Sequence, residues 1–344
     1  MSLIMDSWYA GAWSSEVGDG PVGRTILKQP VVFFRPGEGE IAALLDICPH
    51  RAVPLHLGSV AADRIKCPYH GIEFDRAGTC RFNPHIKGPP DRLTVRAFPV
   101  VERYGVVWIW PGDPDLADPA TIPDYTLFDS PERYAVGRGY THVEADYRLV
   151  IDNLMDLTHA EYLHLATVGT PGASEVLQTN VERDGDDITI KYFLPDMPPA
   201  ALFANGWTMS ERVDQYSNMT WRAASNLSLN LGIMPPGAER SAGWHVPSAH
   251  LLTPEDEENT HYFWAFARDF DIENDELTAG IVAVGKQAFT TEDKPMIEQA
   301  QKLLKNTSTK LVNFSIGDSA SAQVRRALDR LASPVTTREE EAVG

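Results

Sequence analysis

Asp46-Ile47-Cys48-Pro49-His50-Arg51 and, with sixteen residues between His50 and Cys67, Cys67-Pro68-Tyr69-His70-Gly71-Ile72-Glu73-Phe74 carry the strongest chemical signal in the chain. Each segment supplies one thiol and one imidazole. Two thiolates with two imidazoles suit zinc, and equally a [2Fe–2S] centre in which two histidines replace two cysteines on one iron. A structural zinc finger usually keeps its cysteines in one hairpin and its histidines in one helix. Here each loop provides one of each, which favours the cluster. Pro49, Pro68 and Gly71 suit loops whose backbone N–H groups must turn toward sulfur. Cys80 lies outside the pattern and reads as a small buried hydrophobe.

These loops sit in an all-β stretch. Val31-Val32-Phe33-Phe34, Ile41 to Leu45 and Tyr104 to Trp110 are strand-like, with turns at Pro36-Gly37, Arg76-Ala77-Gly78 and Pro111-Gly112. Pro111, Pro114, Pro119, Pro123 and Pro131 mark an extended connector. Two domains follow, residues 1–113 and 114–344, as a length of 344 residues suggests. After the connector, Asp146 to Leu165 has the apolar spacing of a helix. The segments Ile188 to Phe193, Thr208 to Tyr216, Thr220 to Ile233, Trp244 to Leu252 and His261 to Phe270 then read as consecutive antiparallel strands. Glu276 to Leu304 reads as a helix interrupted at Pro295. The class is α+β.

Composition bounds the function. Thirty Lys plus Arg against 48 Asp plus Glu give 30 − 48 = −18, which repels phosphate backbones and anionic lipid and excludes nucleic acid as a partner. Three cysteines cannot form a disulfide framework, so a reducing cytoplasm is expected. No apolar run reaches the roughly 18 residues of a membrane span, and no export signal is visible. Glu339-Glu340-Glu341 makes a short acidic tail.

A second constellation, Asn153-x₂-Asp156-x₂-His159-x₄-His164, opens the C-terminal part. A facial set of two imidazoles and one carboxylate leaves open positions on iron(II). A spacing of five places His159 and His164 about 140° apart on an ideal helix, so a π-bulge or broken turn is expected between them. Of the other histidines, His56, His85, His142, His245 and His261 read as structural. His250 and Asn230 are candidates for a cavity wall, the latter through the alternation Asn226-Leu227-Ser228-Leu229-Asn230-Leu231-Gly232.

The two Cys/His loops, Val100-Val101-Glu102-Arg103, Trp108-Ile109-Trp110-Pro111-Gly112-Asp113-Pro114 and Asp152-Asn153-Leu154-Met155-Asp156-Leu157 together resemble the Rieske aromatic-ring oxygenases of the vanillate and dicamba O-demethylase kind, over essentially the whole chain. The resemblance implies a Rieske [2Fe–2S] domain with Cys48, His50, Cys67 and His70 as ligands. It implies a helix-grip (START-like) antiparallel-sheet catalytic domain with mononuclear Fe(II) on His159, His164 and Asp293. Glu292 is a rival to Asp293, and Thr290 with Asp293 also fits a helix capping box. The resemblance further casts Asp156 as a bridging carboxylate, between His159 and His70 of a neighbouring subunit in a homotrimer, and sets Asn153 beside the iron.

The implied activity is that of a monooxygenase component in aromatic catabolism, which O-demethylates a methoxylated aromatic acid such as vanillate by hydroxylating its methyl group with O₂. Electrons would come from NAD(P)H through a separate flavin or iron–sulfur reductase, with or without a ferredoxin; the chain has no dinucleotide-binding glycine motif of its own. Ring or methyl hydroxylation of another aromatic, such as an aryl sulfonate, is the alternative within this chemistry. Outside it stand an electron-transfer protein and a zinc-containing ligand-binding module.

Overall fold

The computed structural model describes residues 3–18, 20–37, 39–86, 93–204, 206–313 and 316–332; the acidic tail lies outside them. Strand β1 (Tyr9–Trp13) opens the N-terminal part. Strands β2 (Val22–Ile26), β3 (Gln29–Phe34) and β4 (Ala42–Leu45) form a meander, and β5 (Ser59–Ala61), β6 (Arg64–Lys66), β7 (Glu73–Phe74) and β8 (Cys80–Phe82) form a second small sheet. The edge strand β9 (Ala97–Phe98) joins the meander beside β4, while β10 (Val100–Arg103) pairs with β11 (Val106–Ile109) and β11 in turn with β1. These strands follow the β-branched and aromatic runs of the sequence.

Past the proline-rich connector, folded as short 3₁₀ turns between Pro114 and Asp129, comes an eight-stranded antiparallel sheet. Its members are β12 (Ala135–Val143), β13 (Gln178–Asp184), β14 (Asp187–Met197), β15 (Val213–Arg222), β16 (Asn226–Met234), β17 (Trp244–His245), β18 (Ser248–Pro254) and β19 (Thr260–Arg268). The order is β12-β19-β18-β16-β15-β14-β13, with β17 also on β16. Pairing is therefore consecutive from β13 to β16, while β18 pairs with β16 past the short β17 and β12 closes beside β19. All nine residues of β19 are buried, as for a strand covered on both faces.

Helices cover one face. They are α1 (Tyr147–Met155), the single turns α2 (Ala160–Leu163), α3 (Ala173–Val176) and α4 (Ala201–Ala204), then α5 (Asp275–Gln287), α6 (Lys294–Asn306) and α7 (Ile316–Ala332). Asp146 caps α1 by accepting from the Arg148 amide at 2.9 Å. Arg325 of α7 donates to Asp152 of α1, tying the two together. The opposite face of the sheet meets the N-terminal strands. Trp8, Trp13, Trp108 and Trp110 pack there with Leu251 and Phe263, and the Leu27 and Lys28 amides donate to Pro254 and Glu255 carbonyls at 2.8 Å.

The helical expectations need revision at three points. The stretch from Asp146 to Leu165 is not one helix: α1 stops at Asp156 (φ −117°, ψ 92°), and a 3₁₀ turn over Leu157–His159 precedes α2. Of the two alternatives expected between His159 and His164, the π-bulge is absent and the broken turn is what forms. Helix α2 ends at His164, whose backbone leaves the helix at φ −110°, ψ 24°. The π-turn is elsewhere, at Ala288–Asp293, and joins α5 to α6. Pro295 does not break the helical path, because it falls in the first turn of α6, where the i→i−4 ladder has already shifted and a missing N–H costs little.

Candidate metal sites and active-site cavity

The two Cys/His loops come together at the tip of the small sheets. Cys48 follows β4, and the Ala52 amide closes a turn onto its carbonyl at 2.9 Å. Cys67 follows β6, and the Gly71 amide makes the matching turn at 3.1 Å. Gly71 adopts φ +70°, which favours glycine there. Both thiols are buried, at 1% and 2% exposure. Burial pushes the Cys48 thiol up to about 11, opposed by the His50 and Arg51 amides that donate to its sulfur.

The imidazoles face outward, His50 exposed and His70 half-buried, with ring centroids 4.4 Å apart. Inner sulfurs and outer imidazoles are the arrangement a Rieske cluster needs, in which one iron takes two thiolates and the other two histidines. Buried Asp46 accepts from the His56 amide at 2.8 Å and also meets its ring, bracing the first loop. His85, expected to be purely structural, touches His70 through its carbonyl at 3.2 Å.

The second set converges at the mouth of a cavity. His159 Nε2 and His164 Nε2 are 3.2 Å apart, and Asp293 Oδ1 stands 3.4 Å and 3.1 Å from them. Three ligands about 2.1 Å from a metal at right angles would stand about 3.0 Å from one another, so the triangle fits one face of a metal ion. Both far nitrogens are tied down. His159 Nδ1 donates to the Asp156 carbonyl at 2.6 Å and His164 Nδ1 to Glu292 Oε2 at 2.7 Å, which leaves each Nε2 lone pair facing the centre.

Glu292 is thus a partner of His164 rather than a member of the triangle, and it also accepts from Thr167 Oγ1 at 2.8 Å. The π-turn shifts the helical frame by about one residue, or about 100°, so that neighbouring carboxylates reach opposite nitrogens of one imidazole. Burial would raise the Asp293 carboxyl, but the two imidazoles outweigh it and hold it well below the usual carboxylate range. The capping box does not form: Thr290 Oγ1 pairs with Thr141 Oγ1 at 3.1 Å and the helix runs through. Glu161 points away, accepting from the Gly172 and Ser174 amides.

Asn153 Nδ2 donates to Asp293 Oδ1 at 3.0 Å and lies 3.4 Å from His159 Nε2. Asp156 departs from its expected part: its backbone carbonyl, not its carboxylate, holds His159, because the chain turns out of α1 at this residue. The carboxylate accepts from the Thr158 amide and hydroxyl at 3.0 Å and 2.6 Å. Gly169 closes the site from below, its amide on the His164 carbonyl at 2.8 Å; a Cβ there would meet the Ala160 carbonyl at 2.2 Å.

The cavity of about 730 Å³ runs from this triangle between the helices and the sheet. Leu229, Leu231, Met219 and Phe266 line it from the sheet, Ile281 and Phe289 from the helices. His250 also lines it, fully buried between Ser248 Oγ and Tyr262 OH at 2.9 Å and 2.6 Å. Asn230 does not. On β16 the leucines face the cavity and the alternating polar residues face away, so Asn230 is exposed, with Tyr216 OH at 3.4 Å. Gln215, Ser217 and Thr170, also in the wall, were missed; the i, i+2 spacing of Gln215, Ser217 and Met219 on one strand was the available signal.

A second histidine–carboxylate triad exists among the described residues, His142, Glu255 and His261, with ligand atoms within 4.8 Å of one another. It differs in its hydrogen bonds. His261 Nε2 donates to the Thr25 carbonyl at 2.9 Å and its Nδ1 accepts from Tyr140 OH at 2.8 Å.

Comparison with known proteins bears on both sites. Residues 7–99 match the Rieske [2Fe-2S] domain, and residues 143–333 match the vanillate O-demethylase oxygenase C-terminal domain. The chain belongs to the vanillate O-demethylase family of Rieske oxygenases. This Rieske oxygenase is 37% identical to the dicamba O-demethylase oxygenase component of Stenotrophomonas maltophilia, over 96% of its own length and 98% of the relative's. It is 38% identical to the chloroacetanilide N-alkylformylase oxygenase component of Rhizorhabdus wittichii, over 95% of each chain. It is 37% identical to a vanillate O-demethylase oxygenase subunit of a Pseudomonas species, over 95% and 94%.

A crystal structure of dicamba monooxygenase bound to dicamba superposes with a TM-score of 0.91 at 37% identity, covering 96% of this chain and 98% of that one. Another, with non-heme iron and dicamba, gives 0.85 at 35% identity with the same coverage. The Rieske oxygenase is therefore an oxidoreductase whose cofactors are a Rieske [2Fe–2S] cluster and a mononuclear iron, and as an oxygenase component it works with a separate reductase. No helix of the described residues is long and apolar enough to cross a membrane.

Proposed function

We propose that His159, His164 and Asp293 hold the mononuclear iron, that Cys48, His50, Cys67 and His70 hold the cluster, and that the enzyme removes a methyl group from a methoxylated aromatic. The observation that carries this is the triangle of two Nε2 atoms and one Oδ1, with edges of 3.1–3.4 Å, at the end of an apolar cavity of about 730 Å³. When bound, the iron activates dioxygen and the cluster delivers electrons to it. The balance is R–O–CH₃ + O₂ + 2e⁻ + 2H⁺ → R–O–CH₂OH + H₂O, and the hemiacetal collapses to R–OH and formaldehyde.

The chain's own residues orient and exclude. The Asp156 carbonyl and Glu292 fix the two imidazoles by their Nδ1 protons, and Asn153 steadies Asp293. Leu229, Leu231, Phe266 and Phe289 press the aromatic ring toward the triangle and keep water from it.

Residues 1–113 act as the electron carrier and 114–344 as the oxygenase. Among the described residues no hydrogen bond or ring contact joins His50 or His70 to the triangle, which supports transfer between chains in a homotrimer. In that assembly the Asp156 carboxylate meets His70 of a neighbouring chain while its carbonyl holds His159. Reducing equivalents come from NAD(P)H by way of the reductase, with or without a ferredoxin, and the compartment is the cytoplasm. A screen of methoxylated aromatics with a compatible reductase tests the function: oxygen uptake matched by formaldehyde is expected, and oxygen uptake without formaldehyde for every oxidised compound would refute demethylation.

A further inference from the structure

Half-buried Asp156 is held from three sides. Tyr192 OH, on β14, donates to the Met155 carbonyl at 3.0 Å and accepts from the Leu157 amide at 3.2 Å, so the backbone is pinned on either side of Asp156. Thr158 donates to its carboxylate through both amide and hydroxyl. The third side is α7. Gly317, buried in the first turn of that helix, lies directly against the carboxylate: a Cβ there would stand 2.8 Å from Asp156 Oδ2 and closer still to Cγ and Oδ1. Gly317 is not among the positive-φ glycines, and glycine within a helix is a loss against alanine, so the close approach is what calls for it.

The rest of α7 fixes where that turn sits. Ala320, Ser321, Val324 and Leu328 share a face with Gly317 and are buried; Ala320, Val324 and Leu328 belong to the same core as Leu154, Met155 and Tyr192. Arg325 donates to Asp152, one helical turn before Asp156 on α1. A shift of α7 would break this packing and the ion pair together. The two supports of Asp156 are therefore separate: its carbonyl, which holds His159, depends on backbone pinned by Tyr192, and its carboxylate depends on Thr158 and on the space left by Gly317.

We propose that α7 is a positioning element for electron transfer, in which Gly317 lets the Asp156 carboxylate keep the orientation that meets the cluster of a neighbouring chain; this rests on the reading of Asp156 as the bridge between chains. Gly317 is the positioning residue. A methyl group added at Gly317 has to displace something. The Asp156 backbone is pinned, whereas its side chain can turn to another rotamer and leave Thr158, so the carboxylate moves and His159 stays.

The test compares wild type, Gly317→Ala and Asp156→Asn as holoenzymes without oxygen. Both centres are oxidised and then mixed with a sub-stoichiometric amount of dithionite as electron donor. The electron bleaches the cluster and passes on to reduce ferric iron to ferrous; the returning cluster colour and the fading ferric EPR signal time that passage. Gly317→Ala should slow it on the order of tenfold, with the cluster spectrum and the retention of iron against a chelator both as in the wild type. A wild-type rate in Gly317→Ala while Asp156→Asn is blocked overturns the positioning proposal alone. A wild-type rate in Asp156→Asn, or a ferric signal that persists in the wild type, sinks the bridge and the proposal with it. Iron lost in step with the slower passage would give Gly317 a structural part only, and also overturns the proposal. Should Gly317→Ala fold poorly, denaturant unfolding of a cycle with Asp156→Ala tests the contact itself: alanine at Gly317 should destabilise the wild type and cost less once the carboxylate is gone. An equal cost in both backgrounds would show that Gly317 does not bear on Asp156.

Discussion

The molecule holds two clusters of two histidines and a carboxylate, His159/His164/Asp293 and His142/Glu255/His261, and they are built for different ends. In the first, each imidazole spends its Nδ1 proton on a fixed oxygen and turns a free Nε2 to a shared centre. In the second, His261 has already committed its Nε2 to the Thr25 carbonyl and its Nδ1 to Tyr140, while His142 pairs with a half-exposed Glu255. Residue type and proximity are alike. What separates them is the partner on the other nitrogen and the surroundings, an apolar cavity in one case and the junction with the N-terminal strands in the other.

The largest effect expected comes from removing a triangle ligand. His159→Ala should abolish turnover while the Rieske absorbance stays intact, whereas His142→Ala should keep turnover within about twofold, since a surface ion pair contributes little. Loss of oxygenation in both variants would erase the distinction. Next is the oxygen behind His164. Glu292→Gln keeps its shape but weakens the fixed Nδ1 contact, and iron affinity should fall about 10–100-fold by chelator competition. Unchanged affinity would show that Glu292 does not position the ligand.

Gly169→Ala should act through the backbone. Its Cβ would meet the Ala160 carbonyl at 2.2 Å, so the end of α2 must move, at a stability cost of about 1–3 kcal/mol measured by denaturant unfolding, together with weaker iron retention. The smallest effect concerns the second cluster and pH. Burial holds His261 down to about 4, below the ordinary value of about 6.5. The unfolded chain therefore binds the proton more readily, and stability should decline as pH falls from about 6.5 toward 4. His261→Gln should flatten that decline; an equally steep one would assign it to other groups.

How much was legible depends on the distance over which each feature is encoded. The four proposed cluster ligands lie in two short loops whose turns are local, so spacing and proline placement pointed to them. His159 and His164 were visible for the same reason, but the backbone that brings them together was not: α2 ends at His164 because of contacts with Thr167 and Gly169, not because of a bulge. Asp293 could be picked over Glu292 only by resemblance, since a π-turn is stabilised by tertiary packing, here Phe289 among Tyr262, Trp264 and Phe266, with ring centroids 5.4–6.0 Å apart.

Asn230 was misplaced because alternation tells which residues share a strand face, not which face is enclosed. Strand β12, with Gly137 and Gly139, lacks the continuous β-branched run that marks a strand, and it went unseen. The role of the Asp156 carbonyl belongs to the backbone and leaves no trace in residue type.

The central claim, that one triad holds iron and the other does not, is tested most directly by counting iron per chain in the reconstituted wild type, His159→Ala and His142→Ala, with the cluster monitored by its visible spectrum. Two irons in the cluster and one in the triangle predict about three, two and three. A His159→Ala protein that still carries about three irons, or a His142→Ala protein that drops to about two, would contradict it.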